Sequence, residues 1–129
     1  MSYEIRFYSE LPAFFKVVKK ILYQNEDKNN FMLSFLEREM NRNPTASKST
    51  ILAAGFLQED VIWSAIYFEG NPCLITSGPK DCLIEGARTL QQKTKVPSVF
   101  GPEDDVQIFV EALEPQGFEM SLNQALYRI

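Results

Sequence analysis

The residues with chemistry to offer gather where an apolar strand, Cys73-Leu74-Ile75-Thr76-Ser77, runs through Ser77-Gly78-Pro79-Lys80-Asp81 into a helical pattern. A strand-to-helix join of this kind is where α/β enzymes cradle a phosphate on free backbone N–H groups. Gly78 would let the backbone approach such a ligand and Lys80 would answer its charge, so these two are the candidate cofactor-binding residues. The join is poorly made for the task, because Pro79 removes a donor and Asp81 adds negative charge.

Other reactive types are sparse. The chain has no histidine, which removes the commonest general base, the Ser-His-Asp arrangement and most catalytic zinc sites. Cys73 and Cys82 match no metal or redox spacing and read as buried or half-buried free thiols. A helix N-terminus can lower a thiol pKa, but Asp81 beside Cys82 and the lack of a base argue for packing. Glu26-Asp27 and Glu59-Asp60 are neighbouring acids of the kind that point apart in turns, so they form no acid–base pair. No catalytic residue and no metal site is assigned. Trp63 and Tyr67 lie four apart on a strand and therefore on one face, which makes them candidate ligand-groove residues, with core or surface packing the plainer expectation.

The 129 residues, 45% hydrophobic and 23% charged, fit one domain spanning 1–129 with a substantial core. A net charge of −4 opposes a nucleic-acid partner, which needs clustered Lys and Arg in excess. The densest basic cluster, Lys16, Lys19 and Lys20, shares a helix with a strong apolar stripe and reads as its solvated side. No signal peptide or membrane span is read, so no membrane partner and a cytoplasmic location are expected.

The elements follow from periodicity. Tyr3, Ile5 and Phe7 alternate with polar neighbours as an opening strand, and Ser9 is placed to cap the helix after it. Leu11, Phe14, Phe15, Val18, Ile21 and Leu22 form a helical stripe with Pro12 tolerated in its first turn. After a polar break from Gln24 to Asn30, a second helix carries Met32, Phe35, Leu36 and Met40 and stops at Asn41-Arg42-Asn43-Pro44. Thr45 to Ser49 reads as a flexible loop. The runs 51–57, 61–68 and 73–77 make a three-strand meander. A helix with Leu83, Ile84, Ala87 and Leu90, a strand Ser98-Val99-Phe100, a helix with Val106, Phe109, Val110 and Leu113, and one final strand from Phe118 to Ile129 complete the chain. The expected fold class is α/β (α+β): a mixed, mainly antiparallel sheet with helices on both faces.

This order, with Val96-Pro97-Ser98-Val99-Phe100-Gly101-Pro102 before a helix containing Phe109 and the closing Ala125-Leu126-Tyr127-Arg128-Ile129, resembles the GNAT acyltransferase superfamily. It is most similar to the N-terminal lobe of two-lobed acetyltransferases of that group. The resemblance implies a noncatalytic lobe that packs against a second lobe carrying the acetyl-CoA signature, a Gln or Arg followed two residues later by Gly-x-Gly or Gly-x-Ala. That signature is absent from this chain, so acetyl-CoA is implied only for the second lobe and no cofactor here. Gly101-Pro102-Glu103-Asp104-Asp105 is no substitute, since its acids suit a helix dipole and repel phosphate. The expected partner is the second lobe, or a further copy joined through an apolar C-terminal strand containing Phe118, Met120, Leu122, Leu126 and Tyr127. The alternatives are a stand-alone interaction or small-ligand-binding domain and a divergent acyltransferase using Tyr127 or a thiol.

Overall fold

The computed structural model describes residues 3–42, 50–68, 71–113, 119–120 and 126–128. Along the chain these form β1 (Glu4–Tyr8), α1 (Leu11–Gln24), α2 (Glu26–Arg42), β2 (Thr50–Leu57), β3 (Asp60–Phe68), β4 (Cys73–Ile75), α3 (Lys80–Lys93), β5 (Ser98–Phe100), α4 (Glu103–Ala112), β6 (Glu119–Met120) and β7 (Leu126–Arg128). The strands make one sheet in the order β1-β2-β3-β4-β5-β7-β6. The β4–β5 pairing is parallel, with Cys73 opposite Val99 and Leu74 opposite Phe100, and the other described pairings are antiparallel. The expected mixed, mainly antiparallel α/β architecture is what the chain adopts. No helix among the described residues is long and apolar enough to cross a membrane.

Strand alternation splits the core in two. On one face Leu52, Ala54, Phe56, Ile66 and Leu74 pack under α1 and α2, against Leu11, Phe14, Val18, Leu22, Met32, Leu33 and Leu36. On the other, Ala53, Trp63, Ala65, Cys73 and Ile75 pack under α3 and α4, against Cys82, Leu83, Ala87, Leu90, Val106 and Phe109. The α1 stripe buries as its spacing requires, except that Phe15 is only half-buried at its margin.

Several expectations are corrected. α1 begins after Glu10, whose carbonyl accepts from Phe14 N–H at 3.1 Å, so Ser9 is not its cap. The polar run after Gln24 is no break. The Asn25 carbonyl accepts from Lys28 and Asn29 N–H at 3.1 and 2.9 Å and starts α2 at once, with Glu26 and Asp27 suiting the dipole of its first turn. The C-terminal run folds back instead of forming one strand: β6 pairs with β7, which also pairs with β5, so β7 lies inside the sheet and β6 is the edge. Thr45 to Ser49, Phe118, Leu122 and Ala125 lie outside the described residues. The β2–β3 turn places Gln58 at φ 59°, and the register slips between Gly55 and Phe56, leaving Ile62 as the extra residue of β3.

Trp63 fixes how α3 sits on the sheet. It is fully buried, stacks on Phe109 at 6.0 Å between ring centroids and lies so close beneath α3 that a Cβ on Gly86 would come within 2.5 Å of the ring. Gly86→Ala is therefore expected to lower stability by about 1–3 kcal/mol through overpacking. Phe14→Ala should cost about 3–5 kcal/mol and Phe15→Ala distinctly less. Urea denaturation of the three variants checks these values, and equal shifts at positions 14 and 15 would contradict the packing described.

Candidate functional site

The join after β4 is where the chain could hold an anion, and the structure shows the donors of Ser77 and Gly78 already engaged. Thr76 anchors it: its N–H donates to the Ser64 carbonyl at 3.0 Å while Ser64 N–H donates to Thr76 Oγ1 at 2.9 Å, extending the β3–β4 ladder by one pair. Beyond that point Ser77 N–H donates to Asn29 Oδ1 at 3.2 Å. The Ser77 hydroxyl donates to Asp105 Oδ2 at 3.1 Å, and Gly78 N–H donates to Asp105 Oδ1 at 3.3 Å. One carboxylate thus accepts from a hydroxyl and a neighbouring amide, in the manner of a phosphate on a backbone nest.

Both clamping residues come from first turns of helices, one on each face of the sheet. Asn29 stands in the first turn of α2, is 3% exposed, and spends its amide on the Ile21 carbonyl at 3.4 Å. Asp105 stands in the first turn of α4. Sequence reading passes over Asn29 and takes Asp105 only as one of the acids suiting a helix dipole, although a signal for both exists. Asn29 lies three and four residues before the buried Met32 and Leu33, and Asp105 lies one and four before Val106 and Phe109, so each falls on the inward side of its helix. A polar residue inside an apolar stripe must find a partner.

Among the residues chosen from sequence, Gly78 sits at the clamp, where an added Cβ would come within 3.0 Å of Trp63 Cδ1 and 3.2 Å of the Ile62 carbonyl. Lys80 and Asp81 open α3 with exposed side chains. Trp63 and Tyr67 are both buried in the core under α3 and α4, and the indole Nε1 has no acceptor among the described residues. The structure therefore gives the two aromatic residues to packing. Glu26, Asp27, Glu59 and Asp60 are all exposed. Among the described residues no group of His, Cys, Asp or Glu is arranged to hold a metal ion. Burial pushes both thiols up, Cys73 and Cys82 each to about 12, the Glu85 carboxylate adding to the effect at Cys82.

Open space lies beside the join, in a pocket of about 290 Å³ lined by Asn25, Asn29, Ile62, Ser77, Gly78 and Pro79 among others, and further along the α2 face. A cleft of about 440 Å³ runs between the start of α2 and the end of β5, lined by Asp27, Asn30, Phe31, Leu74, Phe100 and Glu103 among others. Past the Phe31–Phe100 ring pair, whose centroids are 4.5 Å apart, lies a narrower slot of about 180 Å³ walled by Phe31, Phe35, Phe68, Pro72, Leu74 and Phe100. The cleft does not pass between the strands. Gly101 follows β5 so tightly against β4 that a Cβ there would lie 2.7 Å from the Ile75 carbonyl.

No protein-family model, no curated protein and no solved structure matches this chain.

Two outcomes are expected from this geometry. Asp105→Ala leaves the Ser77 hydroxyl and Gly78 N–H without their acceptor and should cost about 1–3 kcal/mol, with faster hydrogen exchange at Gly78; unchanged exchange there would contradict the clamp. The native thiols should resist a thiol reagent at pH 8 until the protein is unfolded. Their raised pKa values mean that the folded state keeps protons that the unfolded state begins to release near 9, so stability should fall as pH rises from about 9 toward 12. Denaturation midpoints across that range check the sign.

Proposed function

We propose that this chain is a GNAT-like domain acting as the noncatalytic lobe of an N-acetyltransferase, packing against a catalytic lobe that binds acetyl-CoA. Two features support the GNAT part of the reading: the strand order with its β4–β5 parallel pair, and a helix following each of those strands. The observation that carries the noncatalytic part is Asp105. Its carboxylate already accepts from Ser77 and Gly78 at the join, so an incoming pyrophosphate would have to displace it and would meet its charge at short range. Asn29 holds the next N–H from the opposite face.

Under this reading the domain contributes shape and binding surface, with no covalent step. Its thiols are buried and protonated, and the sequence offers no imidazole. A second reading, a stand-alone small-ligand-binding domain, rests on the aromatic slot beside α2.

Isothermal calorimetry with acetyl-CoA tests the proposal. No saturable binding is expected at concentrations up to about 1 mM, a range in which a competent cofactor site would fill. Micromolar binding that Lys80→Ala weakens would overturn the noncatalytic assignment and favour a divergent enzyme. The reading frame downstream of Ile129 separates the two binding roles: a Gly-rich strand-to-helix segment there supports the lobe, and a stop codon supports the stand-alone domain.

A further inference from the structure

Phe31, Phe35 and Arg38 stand at i, i+4 and i+7 along α2 and therefore share one face. Opposite them the sheet presents Phe68 from the end of β3, Leu74 from β4 and Phe100 from the end of β5. The rings contact in pairs, Phe31 with Phe100 at 4.5 Å and Phe35 with Phe68 at 5.1 Å, both tilted. Between the pairs the slot of about 180 Å³ stays open. Phe31 is 53% exposed at its mouth, so a bound apolar group would remove ring surface from water.

The charge of this slot is single-signed. Among the described residues Arg38 is the one charged side chain lining it, its guanidinium lies 5.7 Å from the Phe35 ring centroid, and no described carboxylate pairs with it. The neighbouring cleft differs, with Asp27 and Glu103 in its wall. An apolar pocket with one convergent polar group is the usual form of a small-molecule site. A guanidinium held over a ring presents a planar fork that matches a carboxylate.

We propose that this slot binds a small aromatic carboxylate, its ring among Phe31, Phe35, Phe68 and Phe100 and its carboxylate on Arg38. The volume takes one ring and a short arm, and the tilted phenylalanines offer edges and faces to a further ring. The proposal needs no particular assignment of the domain as a lobe or as a free-standing protein, and acetyl-CoA titration does not read it.

The test is a titration of the full chain with 3-phenylpropionate, followed by calorimetry and by amide and methyl NMR shifts. Saturable binding with Kd below about 1 mM is expected for a ligand of this size, with shifts centred on Phe31, Arg38, Phe68 and Leu74. Arg38→Gln, an exposed change on a helix surface, should weaken the acid about tenfold and leave the neutral 3-phenylpropanamide unaffected. In the wild-type protein the amide should itself bind about tenfold more weakly than the acid. Absence of saturation up to about 10 mM would overturn the proposal. So would equal affinity in Arg38→Gln, or shifts centred on Lys16, Lys19 and Lys20 of α1.

Discussion

The position of Trp63 constrains everything built on the α3–α4 face. Backbone closes around the indole from three directions: added Cβ atoms on Gly55, Gly78 and Gly86 would approach it to 3.2, 3.0 and 2.5 Å. Phe109 covers it in a stacked arrangement. A large ring filled to this density leaves α3 one seating on the sheet, because interiors of native packing density accept neither a gap nor an extra methyl group without cost. The seating of α3 in turn places the join that precedes it. Gly78 lies directly over Trp63 and so presents its N–H to whatever α4 supplies.

What α4 supplies is a carboxylate of the chain itself. A strand-to-helix join concentrates donors, and those donors must be satisfied by an external anion, by water or by the protein. Here the protein satisfies those of Ser77 and Gly78 with Asp105 from one face of the sheet and Asn29 from the other. These contacts tie α2, the join after β4 and α4 together at the point where both helical layers converge.

Open space lies beside that clamp as well as along α2. The α3–α4 side is filled by Trp63, Phe109 and small residues such as Ala53, Ala65 and Ala87, whereas the α2 side leaves Phe31, Phe35, Phe68 and Phe100 incompletely covered.

Local pattern alone determined the element order from β1 to α4, the α1 stripe of Leu11, Phe14, Val18, Ile21 and Leu22, the three-strand meander and the lack of imidazole chemistry. These are properties of spacing and composition, which act over a few residues. Pattern misread the stretch from Gln24 to Asn30, because a polar first turn of a helix looks like a loop until the Asn25 carbonyl is seen to start α2. It misread the C-terminus as one strand, since apolar residues at short intervals do not specify where a chain reverses. Only the tertiary structure brought Asn29 within hydrogen-bond distance of Ser77, 48 positions away, and Asp105 within reach across 28. It also decided that Trp63 fills a core while Phe31 stands at the mouth of a slot. Contacts at such separations follow from how layers stack on a sheet, and side-chain periodicity of two or 3.6 residues carries no record of them.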